Sequence, residues 1–342
     1  MEPLKILGVG SALPDRVVTN AQLEEWTGFP ASRMLELFEI QERRWARGLF
    51  EPDPPEGQRC SDLAAAAASV ALERAGLSAS AVGVLIAVST TPDSLNPPFD
   101  SQIARRLGLA GTLAFSVQAP CTGLFRAVAL ARALLPQLER KVVLVVTADT
   151  PSPFFRFGPD VSTEHVLNSI LYADGAGALV LGESQEDLPA ISALGLALNT
   201  DPAEPGITFP AMLSSAPPTT GRYEKMDYLG HHDYRRVLRR GSKLAHAAAM
   251  DVLAELGAQV EDVRFFLTHQ ATGNLGRISE AYGLPTQKVP VNIARVGNTI
   301  SASILLLLDE LSQKGELRRG DVLVLHTAES STWSRAGMGI RW

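Results

Sequence analysis

Of the two cysteines in this 342-residue chain, Cys121 stands in SVQAPCTGLFRAVALARALL (116–135), where a short strand stops and a long apolar helix begins. A thiol at a helix N-terminus lies near backbone N–H groups without intrahelical partners and near the positive end of the helix dipole. That placement predicts a lowered pKa and a nucleophilic thiolate. Thr122-Gly123 follows and lets the backbone pass close to a reacting group. Taken alone, a free cysteine also packs as a small hydrophobe, and that is the reading adopted for Cys60, beside the loop EPDPPEGQR. His269 comes just past an apolar strand in FFLTHQATGN, where a sheet presents a general acid or base, or equally a hydrogen-bonded structural imidazole. Asn298, in RVGNTISAS, is beside a glycine at a helix start, placed to act as an N-cap or as an amide donor. His165, His231, His232, His246 and His326 read as structural. His231-His232 beside Asp233 lacks further ligands at metal spacing, so no metal is expected.

The elements that must carry these groups alternate. Residues 61–75 form an alanine-rich helix closed by Gly76, and 84–88 a buried strand. A helix follows over 102–107, then a strand over 112–117, a helix over 124–138 and a strand over 142–147, so the class is α/β. The second half repeats the first. ALERAGLSASAVGVLIAVS (71–89) parallels DVLAELGAQVEDVRFFLTHQ (251–270) at an offset of 181 residues, Val82 with Val263. The unit after it parallels VPVNIARVGNTISASILLLLDEL and DVLVLHTAES, and ILGVGSALP has a counterpart in SALGLALNTDP. Two similar halves, 1–185 and 186–342, are expected to meet near ESQEDLPA and to bury their sheets against shared helices. Cys121 and Asn298 then fall at equivalent turns, and His269 at the end of a buried strand. A nucleophile, a base and an amide donor converge if the halves are related by a pseudo-twofold axis.

A hydrophobic fraction of 46% and a charged fraction of 20% describe a globular chain with a sizeable core. Net charge is −6 with signs interspersed, which excludes a nucleic-acid-binding face. The start MEPLKILGVG has no basic leader and long apolar run, and the longest apolar run, 304–308, is too short for a bilayer. A soluble cytoplasmic protein with two free thiols is expected. Arg235, Arg236, Arg239 and Arg240 form the densest cationic cluster, a solvated face or a dock for an acidic partner.

These residues resemble a family. ILGVGSALP, EIQERRWA, the cysteine turn, YADGAGALVL, THQA, GNTISAS and Thr332-Trp333 are similar, over essentially the whole chain, to the β-ketoacyl-acyl-carrier-protein synthase III enzymes of the thiolase superfamily. The resemblance implies a thiolase fold of five αβαβα layers and a homodimer. It implies that Cys121 is the acyl-accepting nucleophile and His269 and Asn298 its partners, with no metal or redox cofactor. The acyl oxyanion would be held by the backbone N–H groups of Cys121 and Ser330. The implied activity is that of a stand-alone ketosynthase of fatty-acid or polyketide type. Cys121 is acylated from a carrier-protein thioester, then a carrier-bound malonyl or β-ketoacyl unit condenses with it. Acyl transfer to an oxygen or nitrogen acceptor, and a non-catalytic subunit of a heterodimer, are the alternatives.

Departures from the family pattern point to a specialised pathway. The usual glycine run before the TW pair reads AESSTWS, and Glu329 there has no family equivalent. It is expected to be solvated, with action on substrate as the alternative. Thr272 replaces the asparagine of the usual HQAN, and Arg33 and Leu37 fall where an aromatic and an arginine hold coenzyme A, which favours carrier-protein delivery. Asn96 falls where a phenylalanine caps the partner's acyl tunnel, so a longer or bulkier acyl chain is expected. Arg235, Arg236, Arg239 and Arg240, with Arg277, form the expected carrier docking surface.

Overall fold

The computed structural model describes residues 4–47, 54–155, 157–158, 161–184, 186–199, 204–208 and 232–342. The first half contains β1 (Leu4–Ala12), β2 (Val17–Thr19), α1 (Asn20–Thr27), α2 (Ala31–Phe38), β3 (Glu42–Arg44), α3 (Cys60–Arg74), β4 (Val84–Val88), α4 (Phe99–Leu107), β5 (Leu113–Val117), α5 (Gly123–Leu134), β6 (Val142–Asp149), α6 (Thr163–Leu171) and β7 (Gly175–Gly182). The second contains β8 (Ala190–Ala197), α7 (Tyr234–Leu256), β9 (Val263–Thr268), α8 (Leu275–Glu280), α9 (Ile293–Val296), α10 (Ser303–Gln313), β10 (Val322–Glu329) and β11 (Ser334–Arg341).

Nine strands form one sheet in the order β5-β4-β6-β7-β1-β8-β11-β10-β9. From the central antiparallel contact of β1 with β8, the same sequence of pairings runs outward on both sides. β7 matches β11, β6 matches β10 and β4 matches β9, each with the same relative direction. The offset is 180 residues, Gly123 with Ser303 at the helix starts and Val142 with Val322 at the strand starts. The sheet bends around α5 and α10, whose Leu124, Phe125, Val128, Leu305 and Leu308 share one core with Val145, Leu179, Leu325 and Met338. Outside, α3 packs on β1, β6 and β7, and α7 on β8, β10 and β11. The result is five layers, αβαβα.

The composition of each layer explains its place. β4 and β6 are covered on both faces, which is why they read as unbroken apolar runs. α3 presents alanines because it lies almost on the backbone of β1. A Cβ on Gly8 would come within 2.2 Å of the Ala71 carbonyl oxygen, and one on Gly10 within 2.4 Å of that of Ala67. Among the described residues no helix is long and apolar enough to cross a membrane.

Candidate active site

Cys121 ends the turn after β5, immediately before α5, and lies partly open at the wall of a cavity of about 460 Å³. His269 is the first residue past β9, and its backbone N–H donates to the carbonyl of His326 on β10. The ring brings Nε2 to 3.5 Å from Cys121 Sγ. Its other nitrogen, Nδ1, is 2.7 Å from the hydroxyl of Ser303, the first residue of α10, which also accepts from the Gln270 backbone N–H at 3.4 Å. A hydroxyl both donates and accepts, so Ser303 satisfies Nδ1 in either imidazole tautomer and holds Nε2 toward the sulfur. Burial lowers the His269 pKa to about 4, which leaves the ring neutral at physiological pH.

Asn298, like His269 a residue of the second half, lines the same cavity. Its backbone is clamped to the end of α6, donating to Leu171 O at 3.0 Å and accepting from Ala173 N at 2.9 Å. Gly297 before it holds φ 75°, and a Cβ there would meet Ala173 at 2.6 Å, so the turn requires glycine. The Asn298 side-chain oxygen accepts from Ile300 N at 3.0 Å. A backbone N–H only donates, so that contact identifies the oxygen end of the amide and leaves the NH2 group for a substrate oxygen. The structure thus brings Cys121, His269 and Asn298 to one cavity. The 180-residue offset nevertheless places Ser301, not Asn298, opposite Cys121, because Asn298 precedes the matched helix by a longer turn.

Two expectations are overturned together. Glu329 is not solvated: at the end of β10 it is 1% exposed. Its Oε2 accepts from Thr122 N at 3.1 Å and Thr122 Oγ1 at 2.5 Å. Its Oε1 accepts from Thr332 Oγ1 at 2.8 Å and Ser331 Oγ at 3.1 Å, and pairs with Arg126 Nη2 at 3.3 Å. Nor is the Cys121 thiol acidified by its helix. Burial, then the carboxylates of Glu329 and Asp149, raise its pKa. Burial is the largest of these causes, and Glu329, which occupies the N-terminus of α5, adds to it where the helix dipole would otherwise favour an anion.

Asp149 is the mirror image of Glu329. It ends β6 as Glu329 ends β10, 180 residues apart, and its Oδ2 accepts from Ser301 N at 3.1 Å and Ser301 Oγ at 2.5 Å. Its Oδ1 gathers Thr90 and Thr91. Each half therefore sends a buried carboxylate across to the turn that opens the other half's central helix. Ser303, Asp149 and the pairing of Asp149 with Glu329 escaped the sequence reading, which weighed Glu329 only as solvated or as acting on substrate. The repeat alignment pairs Asp149 with Glu329 and was the available signal.

Ser330 lines the cavity, and its carbonyl accepts from Gly206 N at 2.9 Å. Leu37 lies at the cavity too, while Arg33 is on the surface, paired with Glu36. Thr272 hydrogen bonds Asn274 at 3.1 Å. Asn96 is exposed and is not among the residues lining the cavity of this chain. The basic cluster is divided. Arg235 and Arg239 are exposed, whereas Arg236 and Arg240 are half-buried over the Trp333 ring, 5.3 and 4.5 Å from its centroid. Arg277 pairs with Glu39. Cys60 is fully buried, its sulfur 3.7 Å from Ser89 Oγ. His232 is buried against Asn168 and Tyr234, and His231 lies outside the described residues. Among the described residues no three His, Cys, Asp or Glu side chains group to hold a metal.

The family profile of 3-oxoacyl-acyl-carrier-protein (ACP) synthase III matches residues 115–202, and that of its C-terminal region matches 253–342. The β-ketoacyl-acyl-carrier-protein synthase III of Laribacter hongkongensis is 34% identical over 325 residues, covering 94% of each chain. Synthase III 3 of Streptomyces coelicolor is 33% identical over 341 residues, covering 97% of this chain and 96% of that one. Among solved structures, the synthase III of Pseudomonas aeruginosa PAO1 superposes with a TM-score of 0.83 at 27% identity, over 100% of this chain and 98% of that one. AbyA1, a tetronic acid condensing enzyme, superposes with a TM-score of 0.88 at 26% identity, over 99% and 100%.

Proposed function

Because the chain belongs to the 3-oxoacyl-acyl-carrier-protein synthase III family of condensing enzymes, we propose that it is a stand-alone ketosynthase whose nucleophile is Cys121. The observation that carries this reading is the 3.5 Å approach of His269 Nε2 to Cys121 Sγ in a cavity that Asn298 also lines. In the first half-reaction the sulfur attacks an acyl thioester carried by an acyl carrier protein. The Sγ–H bond breaks, His269 Nε2 takes the proton, and the new S–C bond forms. The backbone N–H groups of Cys121 and Ser330 hold the tetrahedral oxyanion. The donor's C–S bond then breaks, and its thiolate leaves with the proton from His269.

In the second half-reaction the carboxylate C–C bond of a carrier-bound malonyl thioester breaks, carbon dioxide leaves and a carbanion remains. A carrier-bound β-ketoacyl thioester reaches the corresponding carbanion by losing an α-proton to solvent. Between the half-reactions the neutral His269 ring exchanges its proton through solvent to the Nε2–H tautomer, in which Ser303 donates to Nδ1. The enolate oxygen takes hydrogen bonds from that Nε2–H and from Asn298 Nδ2. The carbanion attacks acyl-Cys121, the carbon–carbon bond forms, the acyl C–S bond breaks, and the released Cys121 thiolate takes a proton from solvent to restore the thiol. The two halves, 1–185 and 186–342, contribute one side of this site each. Delivery by carrier protein in the cytoplasm fits the replacement of coenzyme A contacts by Arg33 and Leu37.

A homodimer fits β5, an edge strand whose Leu113 and Phe115 are 49% and 38% exposed. In such a dimer Asn96, on the exposed loop before α4, would cap the partner's tunnel and admit a longer chain than acetyl. The altered loop and the likeness to AbyA1 support a place in a specialised acyl or polyketide pathway. Incubation with acyl-carrier thioesters and intact-mass detection tests the reading. A stable adduct on Cys121, absent from Cys121→Ala, followed by carbon dioxide release on adding malonyl carrier, is the expected result. No adduct with any donor would instead support a non-catalytic subunit, and an adduct discharged to an oxygen or nitrogen acceptor without carbon dioxide would support simple acyl transfer.

A further inference from the structure

We propose that Glu329 is a positioning residue for Cys121: delivered from the second half of the chain, its carboxylate pins the turn before α5 through Thr122 and keeps the nucleophile a neutral thiol until attack. The proposal rests on Cys121 being the acyl acceptor. Its starting point is geometric. Thr122 adjoins the nucleophile, and both its backbone N–H and its hydroxyl end on one carboxylate oxygen. The same hydroxyl accepts from Arg126 Nε at 2.9 Å, and Arg126 Nη2 returns to the other oxygen. Thr122, Arg126 and Glu329 therefore close a ring of hydrogen bonds around the first turn of α5. Ser331 and Thr332 lock the far side of that ring to the loop carrying Ser330.

Every contact of the carboxylate named above is a donor from the protein. Glu329 also lines the cavity, yet both its oxygens are taken up by these donors, which hold two loops in register, the one with the nucleophile and the one with the Ser330 backbone. Its charge has a second effect. A helix N-terminus favours an anion placed on it, and here that place is taken by Glu329, so a thiolate at Cys121 would be a second negative charge at the same helix end. Burial acts in the same direction and is the larger cause. Acylation then proceeds with proton transfer to His269 Nε2 during formation of the S–C bond, and the proton returns to the departing carrier thiolate. Atoms and charge balance without any other reactant. A sulfur held neutral between turnovers also resists adventitious alkylation and oxidation, both of which require the thiolate.

The test is the pH dependence of Cys121 carboxamidomethylation by iodoacetamide, read by peptide mass spectrometry, beside the rate of acyl loading from an acyl-carrier thioester. In the wild-type protein the alkylation rate should climb with pH through pH 9 without a plateau between pH 5 and 8. Glu329→Gln should raise alkylation at pH 7.5 by about tenfold for each unit by which the thiol pKa falls, while lowering the maximal rate of acyl loading with KM within about twofold. Glu329→Asp keeps the charge but shortens the reach, so alkylation should stay as slow as in the wild type while loading falls.

A wild-type plateau below pH 8 overturns the proposal. So does a folded Glu329→Gln protein that alkylates and loads within about twofold of the wild type. If Glu329→Gln fails to fold, the wild-type profile and Glu329→Asp decide. Absence of loading in the wild type, with the expected alkylation profile, would overturn the function proposed above and leave the account of the thiol intact.

Discussion

Replacing Ser303 by alanine isolates the orientation of His269 from its basicity. The hydroxyl is 2.7 Å from His269 Nδ1, and the ring is buried, so no bulk water replaces it. A buried imidazole nitrogen left without a partner costs about 1–3 kcal/mol. If that cost falls on the transition state, in which the imidazole carries the thiol proton, the loading rate drops by about 5- to 150-fold. Substrate affinity should change little, because Ser303 does not line the cavity. The assay is rapid-quench acylation of Cys121 with intact-mass detection, repeated across donor concentrations to separate the maximal rate from KM. Ser303→Thr, which keeps the hydroxyl, should recover much of the loss. Should Ser303→Ala load at the wild-type rate, or lose activity solely through KM, the hydroxyl does not support the base and the account of His269 is wrong.

Four shorter predictions accompany it. Because burial lowers the His269 pKa to about 4, the proton acceptor is present at pH 5–8 and is lost as pH falls through 4. The acid limb of acyl loading should therefore lie near pH 4, and a half-loss near 6.5 would contradict it. Asn298→Ala should retain acyl loading but slow carbon dioxide release by roughly 10²–10³-fold, the usual loss of one oxyanion donor; equal losses in both half-reactions would show that Asn298 only shapes the turn. Arg235→Glu combined with Arg239→Glu should raise KM for carrier-bound donors and steepen with falling salt, and unchanged carrier kinetics would leave those residues a solvated face. If the proposed homodimer pairs through β5, wild-type protein should scatter light as a dimer and Leu113→Glu, which places a charge on that exposed edge, as a monomer; equal masses for the two would refute it.

How much of this was legible beforehand depends on the range of the interactions. The strands β4 and β6 were readable because burial on both faces leaves an unbroken apolar signature. The repeat was readable because β4 with β9, and β6 with β10, preserve both pattern and spacing. Cys121, His269 and Asn298 could be singled out by residue type at strand ends and turns. The state of the thiol was not readable, since local reasoning sees the helix dipole and not a carboxylate 208 positions further along the chain. Glu329 itself looked exposed for the same reason: a charged residue in a polar loop is ordinarily solvated, and only the fold reveals the donors of Thr122, Arg126, Ser331 and Thr332 around it. Arg236 and Arg240 misled in the opposite sense. Their helical spacing describes a charged face, yet the indole of Trp333, almost a hundred positions away, covers that part of it.

The exchange of carboxylates between halves, Asp149 to Ser301 and Glu329 to Thr122, makes the two halves interdependent. Because each braces the other's helix start, neither can be excised without loosening its counterpart. A lesion in either brace is felt at the turn carried by the opposite half. Fragments split near residue 185 should accordingly be inert apart, and recover a reactive sulfur only when co-expressed and reassembled.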